Sequence, residues 1–333
     1  MVNEELLLHL GDISSILFFL MGAMTIVELI DSYNGFEVIT SKITQTNKKS
    51  LLWIIGILTF FMSAILDNLT TSIVMVMILR KLVADHKDRI IYASLVIIAA
   101  NSGGAFSPIG DVTTIMLWNK GLITAAGVIS EILIPSIVSM VIPALILQMG
   151  LKGNLDDDEK VAEEVQTPEQ ELSDFQRKVV FWVGVGGLVF VPIFKTITHL
   201  PPFVGILLVL SLVWIITEVF YAGLSTEKGA RKKRVVNLIR NIDMSTILFF
   251  LGILMAVSCL AEIGALTALG KGLNVTFNGN HFMVTGIIGV LSSIIDNVPL
   301  VAGCMGMYPV QAMGDFATDG IFWQLLAYCA GVG

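Results

Sequence analysis

Two Asp-Asn pairs, Asp67-Asn68 and Asp296-Asn297, stand inside apolar stretches that carry no other charge. The first lies in AILDNLTT (64–71) and the second in SIIDNVPL (293–300). Asp67 is the first charged residue after Lys49, and only uncharged residues separate Asp296 from His281. Hydroxyl groups crowd both pairs: Ser63, Thr70, Thr71 and Ser72 in one case, Ser292 and Ser293 in the other. A third polar interruption, NSGGAFSPIGDVTT (101–114), contributes Asn101, Ser102, Asp111, Thr113 and Thr114. Carboxylate, amide and hydroxyl oxygens are hard ligands suited to a small alkali or alkaline-earth cation. A carboxylate out of water also favours its protonated form. One such group can hold a proton or a metal ion but seldom both, and that competition is the minimal device for cation/proton exchange. No Lys or Arg falls in these interruptions, so an anionic substrate lacks its counter-charge.

The elements that position these residues must cross a membrane. Of 333 residues, 55% are apolar and 14% charged, against about 25% charged in soluble domains. Mean hydropathy is +0.83. Lys and Arg are absent from 51–79, 90–119, 121–151 and 241–270, stretches long enough to cross hydrocarbon as helices. The expected fold class is an all-α polytopic membrane protein. It is built as an inverted repeat, with re-entrant helical hairpins and broken transmembrane helices. A sequence pI near 5.1 and the lack of a basic stripe argue against nucleic acid as a partner. Cys259, Cys304 and Cys329 form no spaced cluster, and no nucleotide-binding motif occurs.

Apolar runs predict helices near 12–30, 51–66, 69–79, 90–100, 107–118, 122–149, 178–197, 203–221, 244–263, 282–295, 298–310 and 320–333. Three Gly and a Pro in 103–110 predict a helix broken within 101–110. The halves repeat: DISSILFFL (12–20) matches DMSTILFFL (243–251), and the Asp-Asn pair follows 55 residues on in one half and 53 in the other. The resulting organisation is a first transmembrane repeat at 1–150, an acidic cytoplasmic linker at 151–177 and a second repeat at 178–333. If each pair tips a hairpin, the segments 31–50, 80–89, 151–178 and 222–242 share one side with 17 Lys/Arg, leaving Lys120, Lys195 and Lys271 opposite. That bias makes the first side cytoplasmic. The two hairpins then open toward opposite sides.

At DISSILFFLMGAMTIVELID, LDNLTTSIV, NSGGAFSPIGDVTT and SIIDNVPLVA the chain resembles the NhaD-type sodium/proton antiporters. That group sits within a larger ion-transporter superfamily with arsenite and dicarboxylate carriers. The resemblance implies paired hairpins and unwound helices meeting at a central ion site, with sodium near Asp67 and Asp296. It also implies roles for Asp67, Asn68, Asn101, Asp111, Thr113, Thr114, Asp243, Ser292, Asp296 and Asn297 in ion binding or turnover. Dicarboxylate relatives carry Ser-Asn-Thr at the hairpin tips, where this chain has Asp, which repels carboxylates.

Each of these residues also has a plainer reading. Asp67 and Asp296 could simply turn a hairpin, and Asp111, Asp12 and Asp243 could be ordinary helix caps. Asn101 to Gly104 could be a kink. Glu131, inside an uncharged run, is a candidate secondary proton relay.

The expected function is exchange of sodium or lithium for protons across the cell's inner (cytoplasmic) membrane, as a multi-pass protein and not an enzyme. Lipid bilayer and small cations are the expected partners, a homodimer is compatible, and no cofactor beyond the transported ions is expected. The alternatives are an arsenite or carboxylate carrier and, remotely, an intramembrane aspartyl protease using paired carboxylates. The same intervals also predict that both repeats are incomplete, the first lacking its leading helices and the second stopping at its broken helix.

Overall fold

The computed structural model describes residues 2–40, 43, 45–155, 173–222 and 235–333, so linker residues 156–172 lie outside it. Its helices in chain order are α1 (Val2–Ser32), α2 (Glu37–Thr40), α3 (Lys48–Leu66), α4 (Asn68–Leu82), α5 (His86–Ala105), α6 (Val112–Asn119), α7 (Ala125–Leu147) and α8 (Asp174–Thr198). They continue as α9 (Pro202–Ala222), α10 (Val235–Leu238), α11 (Met244–Glu262), α12 (Ala265–Thr276), α13 (His281–Ser292), α14 (Asn297–Met307) and α15 (Ile321–Val332). Six of the described helices are long and apolar enough to span a bilayer, so the chain is an all-α polytopic membrane protein. Their outward faces carry large apolar side chains such as Ile134, Trp182, Ile197 and Val219. In water those faces would be a liability. Against lipid tails they are the expected surface.

Contacts at helix ends fix the direction of travel. Lys48, opening α3, pairs with Asp88 at 2.7 Å, and the Tyr92 hydroxyl donates to the Lys48 carbonyl at 2.6 Å. Farther along, Ser63 Oγ donates to the Ala100 carbonyl at 2.6 Å and Ser107 Oγ to the Ala64 carbonyl at 2.5 Å. Helices α3 and α5 therefore start at one end of the molecule and run the same way. The chain between them must reverse, so α3 and α4 form a hairpin with Asp67 at its tip.

The second half repeats this arrangement upside down. His281, opening α13, packs on Phe322 near the start of α15, and Ser292 Oγ donates to the Ala330 carbonyl at 2.7 Å. Ser63 and Ser292 each stand four residues before their hairpin Asp, so the two braces are equivalent. Helices α13 and α14 form the second hairpin, tipped at Asp296. Its open end is held by Asp319, which accepts from the Thr124 backbone N–H (2.6 Å) and hydroxyl (2.7 Å). Thr124 lies past Lys120, at the end opposite Lys48. The two hairpins therefore open in opposite directions.

One expected feature moves. The stretch Asn101-Ser102-Gly103-Gly104 stays helical to Ala105, and the break falls at Phe106–Asp111, with α6 resuming at Val112 instead of near 107. The glycines serve contact: a Cβ on Gly103 would lie 2.0 Å from the Phe60 carbonyl oxygen, and one on Gly104 would lie 2.6 Å from the Gly110 oxygen. They let α3 and the unwound segment approach α5 backbone to backbone. Pro108 and Gly110, with Phe106 stacked on Phe60 at 5.0 Å, make the actual interruption.

Candidate ion site

The break in α5–α6 and the two hairpin tips meet at Asp111. Asp111 is 1% exposed and caps α6 by accepting from the Thr113 backbone N–H (2.9 Å) and hydroxyl (3.0 Å) at Oδ1. Its other oxygen, Oδ2, accepts from Asn68 Nδ2 at 3.1 Å and from Asn297 Nδ2 at 3.3 Å. The same Asn68 amide donates to Asn101 Oδ1 at 3.3 Å. Thr114 Oγ1 donates to the Asp111 carbonyl at 2.9 Å. One side chain from each repeat thus grips one carboxylate oxygen on the broken helix.

The hairpin aspartates face this centre differently. Asp67 caps α4 through Thr70, from the backbone N–H (2.9 Å) and hydroxyl (2.7 Å), and adopts φ +85°. A positive φ on a non-glycine residue is strained backbone, held here by packing around the tip. Asp296 caps α14 through the Val298 N–H at 2.8 Å, keeps a negative φ and is exposed. The pseudo-symmetry is therefore imperfect at the tips. It also fails one residue past the serine braces: Asn101 follows Ala100, whereas Gly331 follows Ala330. A Cβ on Gly331 would sit 2.9 Å from the Ala105 Cβ and 3.8 Å from Asp111 Oδ2.

Among the remaining candidates, Ser102 Oγ is buried with no hydrogen-bond partner among the described residues, and so is Thr71 Oγ1. Buried unpaired hydroxyls are costly. Ser292 is committed to its brace. Ser293 spends its hydroxyl on the Val290 carbonyl at 2.7 Å and is exposed. Glu131 is exposed on α7 and takes no part in the cluster's hydrogen bonds. Asp243 caps α11 at the Lys48 end of the molecule. Hydrogen bonds from the Ser245 hydroxyl and then from the Thr246 hydroxyl and backbone hold its carboxyl down at about 2. It stays ionised through any physiological pH. Gly331 and Asp319 escaped the sequence reading, and Ser63 was read only as a hydroxyl near the pair, because no local pattern marks a residue whose role is to meet a distant segment.

The segments that build this centre, 51–79, 90–119 and 272–333, contain no Lys or Arg. A cluster of three carboxylates with amide and hydroxyl oxygens and no fixed cation suits a small positive ion. A family model described as "Citrate transporter" matches residues 8–333. The chain belongs to this family. It is 45% identical over 323 residues to "Sodium/proton antiporter 1" of Arabidopsis thaliana, covering 97% of this chain and 54% of that protein. The chain thus spans about half the length of that relative. It is 42% identical over 337 residues to "Sodium/proton antiporter 2" of the same plant (100% of this chain, 77% of the relative). It is 26% identical over 358 residues to "Na(+)/H(+) antiporter NhaD" of Vibrio cholerae serotype O1 (98% and 69%). The resemblance to NhaD-type antiporters thus holds along nearly the whole chain. All these names are those of transporters, and none supports the protease alternative.

Proposed function

We propose that the protein exchanges sodium or lithium for protons across the cytoplasmic membrane, with Asp111 as the carboxylate for which cation and proton compete. The observation that carries this reading is the convergence of Asn68 and Asn297 on Asp111 Oδ2. Each amide belongs to a different hairpin, so the protonation and occupancy of Asp111 are felt by both repeats at once. A cation arriving at Oδ2 displaces or reorients two amide donors, and a proton there removes the acceptor charge they favour. Either event biases how the hairpins sit against the broken helix. Asp67, Asp296, Asn101 and the unpaired Ser102 hydroxyl supply further oxygens to the ion, and Thr113 and Thr114 hold Asp111 in place. Lys48, Asp88, Glu28 and Asn241 mark the cytoplasmic end, and His9, Lys120 and Glu262 the opposite one. The names of the plant and bacterial relatives agree with this chemistry.

The family description favours a second reading, a citrate carrier. A tricarboxylate entering this centre would meet three carboxylates and no Lys or Arg, which makes it the weaker reading. Full-length protein reconstituted in liposomes with an entrapped pH dye separates the two. Sodium-driven proton movement without citrate supports exchange, and citrate uptake without sodium-driven proton movement rejects it.

A further inference from the structure

A cavity of about 150 Å³ opens between α1, α6, α11 and α14, at the Lys120 end of the molecule. That is room for several waters around a small ion. Its polar wall comes from His9, Asp12, Lys120 and Ser258. Asp12 pairs with Lys120, and His9 Nε2 meets Glu262 Oε1 at 2.7 Å. Both pairs join elements distant in sequence, α1 to the end of α6 and α1 to the end of α11. On the lining itself the Asp12 carboxylate and the Lys120 ammonium face each other, and Glu262 backs His9.

The deep wall carries the argument. Met116 lines the cavity and is 2% exposed, and Ala302 also lines it, at 7%. Met116 stands five residues beyond Asp111 on α6, and Ala302 stands five residues beyond Asn297 on α14. At 1.5 Å rise per residue, each lies about 7.5 Å along its helix from the ion site. The two helices that begin at Asp111 and Asn297 therefore run from the carboxylate cluster straight into the wall of this cavity.

We propose that the cavity is an antechamber of the cation route on the Lys120 side. It receives a partly hydrated monovalent cation, and the Met116 and Ala302 side chains form the barrier between it and Asp111. The inference rests on the exchange reading above but is tested by a different readout. In full-length protein with Cys259, Cys304 and Cys329 replaced by alanine, Ala302→Cys and, separately, Met116→Cys are exposed to a cationic methanethiosulfonate reagent in oriented proteoliposomes. Modification is read by mass. The expected result is labelling of at least one of the two cysteines from the Lys120 side at least tenfold faster than from the other. Sodium at saturating concentration should slow it severalfold. Neither cysteine labelling, equal labelling from both sides, or no effect of sodium would overturn the antechamber even if exchange is intact. Absence of sodium-driven proton movement in the unmodified protein would instead count against the exchange reading, while the labelling pattern still decides the cavity's role.

Discussion

Asn68 and Asn297, one from each inverted half, donate to the same oxygen of Asp111, at 3.1 and 3.3 Å. A two-fold related protein would be expected to hold two equivalent ion positions. Here the second half contributes an amide to the first half's carboxylate, and Gly331 packs where a second Asn101 would stand. Among the described residues, the asparagines of both hairpins thus converge on one carboxylate oxygen.

Removing either amide leaves the carboxylate with one donor fewer. Hydrogen bonds to charged groups contribute about 1.5–3 kcal/mol and a cation at Oδ2 must displace them, so Asn68→Ala or Asn297→Ala should shift apparent sodium affinity roughly tenfold toward tighter binding. Because both act on one oxygen, the double variant should depart from the sum of the singles. Sodium titrations of proton flux for the three variants check this, and simple additivity would show that the amides act independently.

The serine braces should behave as a matched pair. Ser63→Ala and Ser292→Ala each remove one hydroxyl-to-carbonyl bond, buried at Ser63 and part-buried at Ser292, worth about 1 kcal/mol. Both should lower the thermal midpoint in detergent by similar amounts. A strong effect on only one would mean that the two hairpins are held by different contacts.

Close packing of α3 on α5 makes Gly103 intolerant of a side chain. Gly103→Ala drives a methyl into the Phe60 carbonyl and should cost about 3 kcal/mol or more. Gly186→Ala on α8, where nothing lies within 4 Å of the added carbon, should leave the midpoint unchanged or slightly raised. Thermal unfolding followed by size-exclusion chromatography distinguishes them.

These examples show what the sequence made legible and what it could not. The Asp-Asn repeat, the matching intervals and the lopsided Lys/Arg distribution were enough to expect spans and opposed hairpins, because each reflects the cost of placing charge in hydrocarbon. The glycines at 103 and 104 were misread as the break, since glycine permits both an unwound turn and a close helix crossing. Only the neighbouring backbone decides between them. Asp111 could have been a plain cap; its role as the shared acceptor depends on Asn297, which is remote in the chain. Asp67 and Asp296 looked equivalent, yet one is strained and half-buried and the other is exposed.

Asp243 offers a pH test with a definite sign. Its folded value, about 2, lies below the ordinary 3.8, so its contribution to stability is present above about pH 4 and lost as pH falls toward 2. Across pH 6 to 9 it does not titrate. Asp243→Asn should therefore leave the shape of the pH profile of sodium-driven flux unchanged. A profile shifted by half a pH unit or more would assign Asp243 a part in proton movement.

The most direct test is sodium-driven dequenching of a pH dye in liposomes containing full-length Asp111→Asn protein, beside wild type at matched insertion. The asparagine keeps the size of the side chain but cannot exchange a proton for an ion. A fall in flux of at least a hundredfold, with the protein still folded by size-exclusion chromatography, is the expected result. Flux within a few-fold of wild type would contradict the assignment of Asp111 as the carboxylate where sodium and proton compete.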